Sequence, residues 1–283
     1  MAKNILGREL VLSNREFKMF RDLIYKKSGI NLNDNKKELL QARLRKLIIQ
    51  KGLDSYEKYY KFIIKDKTGL ELTLILDAIS TNVTSFFREI HHFNFVDKVV
   101  VPEFAKKNQS KTNPEIRVWS AACSSGEEPY SILFSLLQHK LFQSASNIKF
   151  LATDISIQIL NTASQGVYTA QKVKQVPKYM LKKYFDKGGK GETAYYTVTK
   201  QLRELIHFKR FNLMTPVYPF KNKFDFIFCR NVMIYFDAPT KEKLISNFYN
   251  FLKEGGYLFI GHSESLSSTN HQFKYVRPTV YKK

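Results

Sequence analysis

Apolar residues recur at intervals of three and four positions along residues 1–80, which is the spacing of helices with one buried face. Ser13 and Glu16 have the spacing of a capping box, so a first helix is predicted to start there. A second helix is predicted to begin at Asn33 or Asp34. Its buried face is predicted to contain Leu40, Leu44, Leu47 and Ile48. Two more helices are predicted over 55–65 and 70–79, which makes residues 1–80 an all-α N-terminal domain.

From about residue 115 the pattern changes to short apolar runs that alternate with helical segments. Strands are predicted over 116–121, 148–154, 224–229 and 256–261, and helices over 127–141, 155–164 and 240–252. This alternation is typical of a parallel sheet with helices on both faces. Residues 166–210 do not follow it, and their glycines beside a β-prone run predict a hairpin. We therefore expect an α/β domain over 81–283 with a small β-subdomain inserted at about 166–210.

Charge and composition limit the classes of protein to which the chain can belong. Of the 283 residues, 46 are Lys or Arg and 25 are Asp or Glu, which gives a formal net charge of +21. A surplus of this size predicts an acidic partner: nucleic acid, an anionic membrane or an acidic protein surface. Hydrophobic residues make up 43%, which excludes a mainly disordered chain, and the two cysteines are too few for a disulfide scaffold. Because there is no signal-peptide pattern and no apolar run of membrane-spanning length, a soluble cytoplasmic protein is expected.

The first predicted strand leads into a loop of small residues, 120–126, that ends at two acids, Glu127 and Glu128. Ligands of open α/β sheets bind at the carboxyl ends of the strands. The loop has neither a G-x-G-x-x-G dinucleotide fingerprint nor a phosphate loop, and its glutamates would repel a pyrophosphate. Asp154 ends the second strand, where a carboxylate can accept both hydroxyls of a ribose. These features fit S-adenosylmethionine, which is cationic and has no phosphate, but they equally fit a tight turn with Asp154 as a helix N-cap.

Two further stretches, 81–89 and 229–237, are unusually polar for their surroundings. Two interpretations of their polar residues are open: a ligand site, or a hydrogen-bonded network at the junction of the two domains. The residues concerned are Arg88, Arg230, Asn231 and Tyr235. The aromatic residues in the same stretches are expected to pack between the domains, and they are Phe86, Phe87 and Phe236.

Four motifs occur in order along nearly the whole chain. They are Thr81-Asn-Val-Thr-Ser-Phe-Phe-Arg88, Trp119-Ser-Ala-Ala-Cys-Ser-Ser-Gly-Glu-Glu-Pro-Tyr-Ser131, Phe224-Asp-Phe-Ile-Phe-Cys-Arg-Asn-Val-Met-Ile-Tyr-Phe236 and Gly261-His-Ser-Glu-Ser265. In these motifs the chain resembles the chemotaxis receptor methyltransferase family, CheR. The resemblance implies an S-adenosylmethionine-dependent transferase that makes γ-methyl esters on glutamates of methyl-accepting chemotaxis proteins, with S-adenosylhomocysteine as product. It also implies a Rossmann-like methyltransferase domain with an inserted β-subdomain, preceded by an all-α domain.

The resemblance further implies, by position in these motifs, which residues bind the cofactor. They are Asn82, Thr84, Arg88, Glu128, Asp154, Asn212, Leu213, Arg230 and Asn231. Glu127 is not excluded as the glutamate of the loop. Arg88 and Tyr235 are the positions that the family places near the transferred methyl group, and no metal is implied.

The chemistry of such a transfer needs no general base, because an unperturbed glutamate has a pKa of about 4.3 and is ionised at neutral pH. The protein must instead desolvate and align the reactants. Arg88 is expected to hold a carboxylate, either the substrate's or the cofactor's, through two parallel hydrogen bonds. Tyr235 is expected to donate a hydrogen bond to the substrate carboxylate or to exclude water.

The positive net charge is then complementary to a receptor helical bundle that is rich in glutamate. Arg43, Arg45 and Lys46 on the second predicted helix are expected to guide docking, mainly through the association rate. A receptor C-terminal peptide on the β-subdomain is a second contact that the family allows, whereas neither nucleic acid nor membrane insertion is expected. Two rivals are a nucleic-acid methyltransferase, although the Asp/Asn-Pro-Pro-aromatic stretch of amino-methylating enzymes is missing, and a non-catalytic module that senses S-adenosylmethionine.

Overall fold

The computed structural model describes residues 10–79, 82–142 and 146–283, apart from the side chain of Glu192. The N-terminal helices are α1 (Asn14–Ser28), α2 (Lys37–Gln50), α3 (Tyr56–Lys65) and α4 (Leu70–Ile79). At the start of α1, Glu16 donates its backbone N–H to Ser13 Oγ, and Ser13 donates its own to Glu16 Oε2. The predicted capping box is therefore confirmed.

Helix α2 starts later than predicted. A 3₁₀ turn, Asp34–Lys36, precedes it, and the side chain of Asn33 makes no capping hydrogen bond with the described residues. Asp34 instead accepts a hydrogen bond from Arg21 Nη1 at 3.3 Å, so α1 and not the first turn of α2 engages its carboxylate. The predicted buried face of α2 is confirmed, because its four apolar residues all lie in the core of this domain.

The rest of the described chain contains two sheets. In chain order the strands are β1 (Ile116–Ala121), β2 (Ile148–Asp154), β3 (Val167–Thr169), β4 (Phe185–Gly188), β5 (Tyr195–Val198), β6 (Ile206–Arg210), β7 (Phe224–Cys229), β8 (Leu252–Ile260), β9 (Lys274–Arg277) and β10 (Val280–Lys282). The larger sheet has the strand order β6-β2-β1-β7-β8-β10-β9. Its first five strands in that order are parallel, while β10 and β9 run antiparallel and form a terminal hairpin that the sequence pattern did not predict.

The helices of this part cover both faces of the larger sheet. They are α5 (His91–Phe95), which continues through a π-helical turn (Val96–Val100) into α6 (Val101–Lys107), then α7 (Glu127–Leu136), α8 (Ile157–Gln165), α9 (Lys178–Tyr184), α10 (Lys200–Arg203) and α11 (Ala238–Phe251). Successive strand residues point to opposite faces. On β1, Val118 belongs to the buried cluster that includes α7, whereas Trp119 belongs to the one that includes α11. The predicted parallel sheet with helices on both faces is confirmed for these strands.

Helix α7 ends at Leu136 rather than at residue 141 as predicted. The side-chain amide of Gln138 donates to the Phe134 carbonyl at 3.1 Å, which is the acceptor that the backbone of Gln138 would use in a continuing helix. Its backbone N–H bonds to Ser135 instead. The last turn tightens, and the chain leaves the helix.

The predicted hairpin lies in a three-stranded antiparallel sheet of order β3-β5-β4. Gly189, in the turn between β4 and β5, has a φ of +68°, and a Cβ there would lie 2.4 Å from the Thr193 carbonyl oxygen. The end of the predicted insertion needs correction, because Ile206–Arg210 is strand β6 and pairs in parallel with β2 of the larger sheet. We use "inserted sheet" below for residues 167–198.

Several hydrogen bonds join the N-terminal helices to the α/β part. The Asn31 backbone N–H donates to the Tyr235 carbonyl at 2.8 Å, and Tyr25 Oη donates to Asp237 Oδ2 at 2.7 Å. The predicted boundary between the domains falls at residues 80 and 81, which lie outside the described residues, so it stays a prediction. Within the described ranges, no helix is long and apolar enough to cross a membrane.

Candidate active site

A cavity of about 400 Å³ lies between the N-terminal helices and the carboxyl ends of β1, β2 and β7. This volume is within the usual range for sites that bind small organic molecules. All ten residues that the sequence proposed for the site line it; they are Asn82, Thr84, Arg88, Glu128, Asp154, Asn212, Leu213, Arg230, Asn231 and Tyr235. The fold therefore brings residues from five separate segments into one cavity, as expected where parallel strands end at the same edge.

The loop after β1 supplies one wall, mostly with its backbone. Ala122 and Ser124 have φ values of +65° and +50°, and Gly126 has one of +96°. A Cβ at Gly126 would lie 3.1 Å from Ala163 Cα, so the small residue is needed where the loop approaches α8. Ala122, Cys123 and Ser124 line the cavity, which lets a ligand come close to the main chain.

Asp154 fixes this loop from the neighbouring strand. Its Oδ2 accepts the Ser124 N–H at 2.9 Å, and its Oδ1 accepts the Ser156 N–H at 3.0 Å. The N-cap of α8 is Ser156, whose Oγ accepts from Ile159, so the alternative role of Asp154 as that cap is wrong. Burial raises the pKa of Asp154 although its N–H donors act in the opposite direction. The carboxylate retains acceptor capacity for a hydroxyl donor.

The two adjacent glutamates of the loop face different ways. Glu127 is fully buried, does not line the cavity and pairs with Lys172, whose Nζ lies 2.8 Å from Glu127 Oε1. Glu128 lines the cavity, accepts a hydrogen bond from Ser120 Oγ at 2.7 Å and lies 3.1 Å from Arg230 Nη1. Burial raises the pKa of Glu128, while the Arg230 cation opposes that shift.

Arg230 is the centre of a buried charge network. Its side chain is 1% exposed, and its Nη2 lies 3.1 Å from Glu89 Oε2 while donating also to the Arg88 carbonyl. The guanidinium lies 5.9 Å from the ring centre of Phe93 and 5.8 Å from that of Phe228. Burial raises the pKa of Glu89, but Arg230 and the neighbouring N–H donors outweigh it and leave that pKa below its usual range. Arg230 thus both lines the cavity and holds the turn that carries Arg88.

The Gly261-His-Ser-Glu motif shapes the loop after β7. Glu264 accepts the backbone N–H groups of Asn231, Met233 and Gly261. Asn231 has a φ of +58°, and a Cβ at Gly261 would lie 2.7 Å from its backbone nitrogen. The sequence resemblance gave this motif no role, and the structure places it behind the cavity wall, where it fixes Asn231.

Arg88 and Tyr235 line the cavity with polar groups that remain available. Arg88 is partly buried, and its Nη1 donates to the Val83 carbonyl at 3.0 Å. Within the described ranges it has no carboxylate partner, and the Tyr235 hydroxyl has no hydrogen-bond partner there either. By contrast, the Asn212 side chain is already engaged, since it donates to the Lys27 carbonyl at 2.6 Å and accepts from Met214 at 2.9 Å.

The sequence interpretation missed one whole wall of the cavity. The α1–α2 connector, residues 29–36, lines it through Ile30, Asn31, Leu32, Asn33 and Lys36, next to Ser28 and Leu39 on the flanking helices. The available signal was the asparagine-rich run 31–35, which also suits an ordinary helix-helix turn. Nothing in that run alone points to a ligand.

The three basic residues proposed for docking differ in their surroundings. Arg43 and Lys46 are exposed on α2, whereas Arg45 is partly buried. Arg45 Nε and Nη2 are shielded from solvent and have no hydrogen-bond partner among the described residues. Arg45 therefore offers less of its charge to a partner than the other two.

One cluster near the cavity has the composition of a metal site. Ligand atoms of Glu89, His91 and His92 lie within 4.8 Å of one another. The carboxylate of Glu89 is already paired with Arg230, and His92 Nε2 contacts Thr279 Oγ1 at 2.6 Å. Burial, with help from Arg230, lowers the pKa of His92 to about 2, so this imidazole is neutral at pH 7.

Comparison with known proteins agrees with the motifs. Residues 15–80 match the family model described as the all-alpha domain of CheR methyltransferase, and residues 82–282 match its S-adenosylmethionine-binding domain. The chain is 39% identical to a chemotaxis protein methyltransferase of Borreliella burgdorferi, over 99% of this chain and 98% of that one. It is 36% identical to that of Salmonella typhimurium, covering 98% and 92%, and 34% identical to chemotaxis protein methyltransferase 2 of Pseudomonas aeruginosa, covering 97% and 95%.

Proposed function

Because the chain belongs to the CheR family of S-adenosylmethionine-dependent chemotaxis methyltransferases, we propose that it methylates glutamate side chains of chemotaxis receptors. The products are the glutamate γ-methyl ester and S-adenosylhomocysteine. The observation that carries this proposal is the cavity: it combines acidic groups suited to a phosphate-free cation with Arg88, a cation without an acidic partner among the described residues. We also propose a cytoplasmic location, where the signalling part of such receptors lies.

The cavity suits S-adenosylmethionine in size, and its lining carries both carboxylates and cations for a ligand that has charges of both signs. Asp154 would hold the ribose hydroxyls, and Glu128 is the better candidate of the two glutamates because Glu127 is turned away from the cavity. Ala122 and Ser124 line the cavity with small side chains, so a ligand can come close to the main chain there. Asn82, Thr84, Asn212, Leu213 and Asn231 are proposed as the remaining contacts.

The residues of the chain act by orienting and desolvating the reactants. When bound, the cofactor supplies a methyl group activated by a sulfonium. The attacking carboxylate is ionised at neutral pH, so the protein need not remove a proton. Arg88 binds and orients a carboxylate, Tyr235 donates a hydrogen bond to it, and the apolar lining residues Val232 and Leu213 exclude water. Alignment of this kind supplies about 7–11 kcal/mol of barrier reduction in favourable cases.

Tyr235→Phe should reduce kcat about tenfold and leave the Kd for S-adenosylhomocysteine unchanged. The reason is that a hydrogen bond to a charged group is worth about 1.5–3 kcal/mol, and the hydroxyl has no partner in the described structure to compensate. Initial rates at saturating cofactor measure the effect. Tyr179→Phe, on the exposed surface of α9, is the control, and an unchanged kcat for Tyr235→Phe would leave this ring with a packing role alone.

We propose that receptors dock along the exposed face of α2. Leu39, Arg43 and Lys46 share that face by their spacing, and Leu39 lines the cavity, so the basic residues lead to its rim. A glutamate-rich helical surface complements this charge. Arg45 is left out because its inner nitrogens are buried. A receptor C-terminal peptide on the inserted sheet, next to the lysine-rich segment 172–190, stays a further prediction.

Charge reversal on this face, Arg43→Glu with Lys46→Glu, should lower kcat/KM for a receptor fragment about tenfold at low salt. Exposed pairs contribute about 0–1 kcal/mol each and act mainly on the association rate, so the effect should shrink at physiological ionic strength. Arg15→Glu with Lys18→Glu is the matched control, because these residues are exposed on α1 with the same spacing. Equal rates for both double variants, or rates independent of salt, would refute docking by charge.

The decisive experiment for the function uses S-adenosylmethionine with a labelled methyl group and a chemoreceptor cytoplasmic fragment. We expect label in the receptor that mild base releases as methanol, since a carboxyl methyl ester is hydrolysed under these conditions. Asp154→Asn protein serves as the inactive control. Label transferred to RNA, or cofactor binding without transfer to the receptor, would replace the proposal by one of the rival functions.

A further inference from the structure

The loop after β1, residues 122–126, is held in an unfavourable backbone conformation. It is called the cofactor loop below. Ala122 and Ser124 both have positive φ although neither is glycine. Left-handed conformations of such residues are strained and persist only where the surroundings fix them. Asp154 supplies one such restraint through the Ser124 N–H. The remaining restraints on the loop come from further along the chain.

Two of the restraints on this loop come from the inserted sheet, one from its first strand and one from the turn that follows that strand. Tyr168, on β3, donates its hydroxyl to the Ser125 carbonyl at 2.8 Å. Lys172, in the turn after β3, places its Nζ 2.8 Å from Glu127 Oε1, while Ser125 donates its hydroxyl to the other oxygen of Glu127. The Tyr168–Ser125 and Lys172–Glu127 contacts join residues more than 40 positions apart in the chain. The inserted sheet is therefore connected directly to the cofactor loop.

The charge of Glu127 makes the second contact important. Its side chain is 0% exposed, and the Lys172 ammonium is its cationic partner in the described structure. Removing the partner of a buried carboxylate strongly destabilises the folded protein, because the charge is left uncompensated. Of the seven lysines in residues 172–190, only Lys172 has an acidic partner among the described residues. Its position is therefore specific, unlike that of the neighbouring lysines on the surface.

We infer that Tyr168 and Lys172 are positioning residues that hold the cofactor loop, so that the inserted sheet sets the affinity for S-adenosylmethionine. The inference rests on the proposed cofactor contacts of the loop. Neither residue lines the cavity, so both act through Ser125 and Glu127 rather than on the reacting atoms. Loss of either contact lets the loop relax toward ordinary backbone conformations and withdraws its main chain from the ligand.

The test measures the Kd for S-adenosylhomocysteine by calorimetry together with KM and kcat. Tyr168→Phe removes one hydrogen bond, and we expect a Kd about fivefold higher. Lys172→Met should raise the Kd and the KM for the cofactor about tenfold, with kcat at saturation within a factor of two. Lys172→Arg should restore the normal affinity. The double variant Lys172→Met/Glu127→Gln should also recover part of it, because no charge is then left buried.

Lys174→Met is the matched control, since it removes an exposed lysine two positions away. If Tyr168→Phe and Lys172→Met bind S-adenosylhomocysteine as the unsubstituted protein does, the inference is wrong and the cofactor site stands. If kcat falls as much as affinity and the arginine variant does not restore it, the residues have a general structural role and the inference is wrong as well. If the unsubstituted protein itself gives no heat with S-adenosylhomocysteine, the proposed cofactor site fails first.

Discussion

Replacing Arg230 by methionine should lower the free energy of unfolding by about 3–5 kcal/mol and abolish methyl transfer. Removal of one partner from a buried ion pair leaves an uncompensated charge, which costs this much in other proteins. Here the loss would leave two carboxylates, Glu89 and Glu128, without their shared cation. It would also release the Arg88 carbonyl, and with it the turn that presents Arg88 to the cavity. Urea denaturation followed by circular dichroism measures the stability.

A matched comparison separates burial from charge. Arg117 on β1 pairs with Glu115 at the surface, so Arg117→Met should cost about 0–1 kcal/mol. Neutralising the carboxylates as well, in Arg230→Met/Glu89→Gln/Glu128→Gln, should recover much of the stability although not the activity. If Arg230→Met and Arg117→Met lower the free energy of unfolding by equally small amounts, Arg230 is not the centre of a buried charge network.

Arg88→Ala should reduce kcat/KM about 100-fold with little change in stability. The loss of charge-assisted hydrogen bonds to a carboxylate accounts for a change of this size. Stability should be nearly unaffected, because among the described residues the guanidinium hydrogen-bonds to the Val83 carbonyl and has no carboxylate partner. Initial rates with a receptor fragment, together with the Kd for S-adenosylhomocysteine, measure the effect.

The same variant distinguishes two uses of Arg88. If Arg88 binds the cofactor carboxylate, the Kd for S-adenosylhomocysteine rises; if it orients the substrate glutamate, kcat falls while that Kd is unchanged. Arg88→Lys keeps the charge but not the forked geometry and should recover only part of the activity. Arg15→Ala, on the exposed face of α1, is the control. An Arg88→Ala protein with normal kcat/KM would remove this residue from the active site.

Much of the fold follows from local patterns in the sequence. The Ser13 capping box and the apolar face of α2 depend on residues three or four positions apart, and both are present in the structure. The parallel strands β1, β2 and β7 are buried apolar runs whose ends carry the site residues. Strands of this kind align at one sheet edge, which brings together the site residues that follow them: Glu128, Asp154, Arg230, Asn231 and Tyr235. The other five site residues were predicted from the family resemblance and not from the strand pattern.

The parts that could not be predicted depend on contacts between distant residues. No periodic signal in the sequence marks the pair Lys172–Glu127 or the hydrogen bonds that Glu264 accepts from the loop after β7. Which of Glu127 and Glu128 faces the cavity depends on how α7 is rotated against the sheet, and the spacing of two adjacent residues cannot decide this. Strand β6 was assigned to the insertion because it follows directly on it in the chain, although in space it extends the larger sheet.

The α1–α2 connector has a thermodynamic consequence. Since residues 30–33 form part of the cavity wall, a molecule that fills the cavity would touch both halves of the chain at once. A ligand that binds only the joined arrangement stabilises it by about 2.7 kcal/mol at 100 times its dissociation constant. A methyl donor bound in this cavity would therefore strengthen the contact between the halves, and a shortened chain without the N-terminal helices should bind the cofactor more weakly.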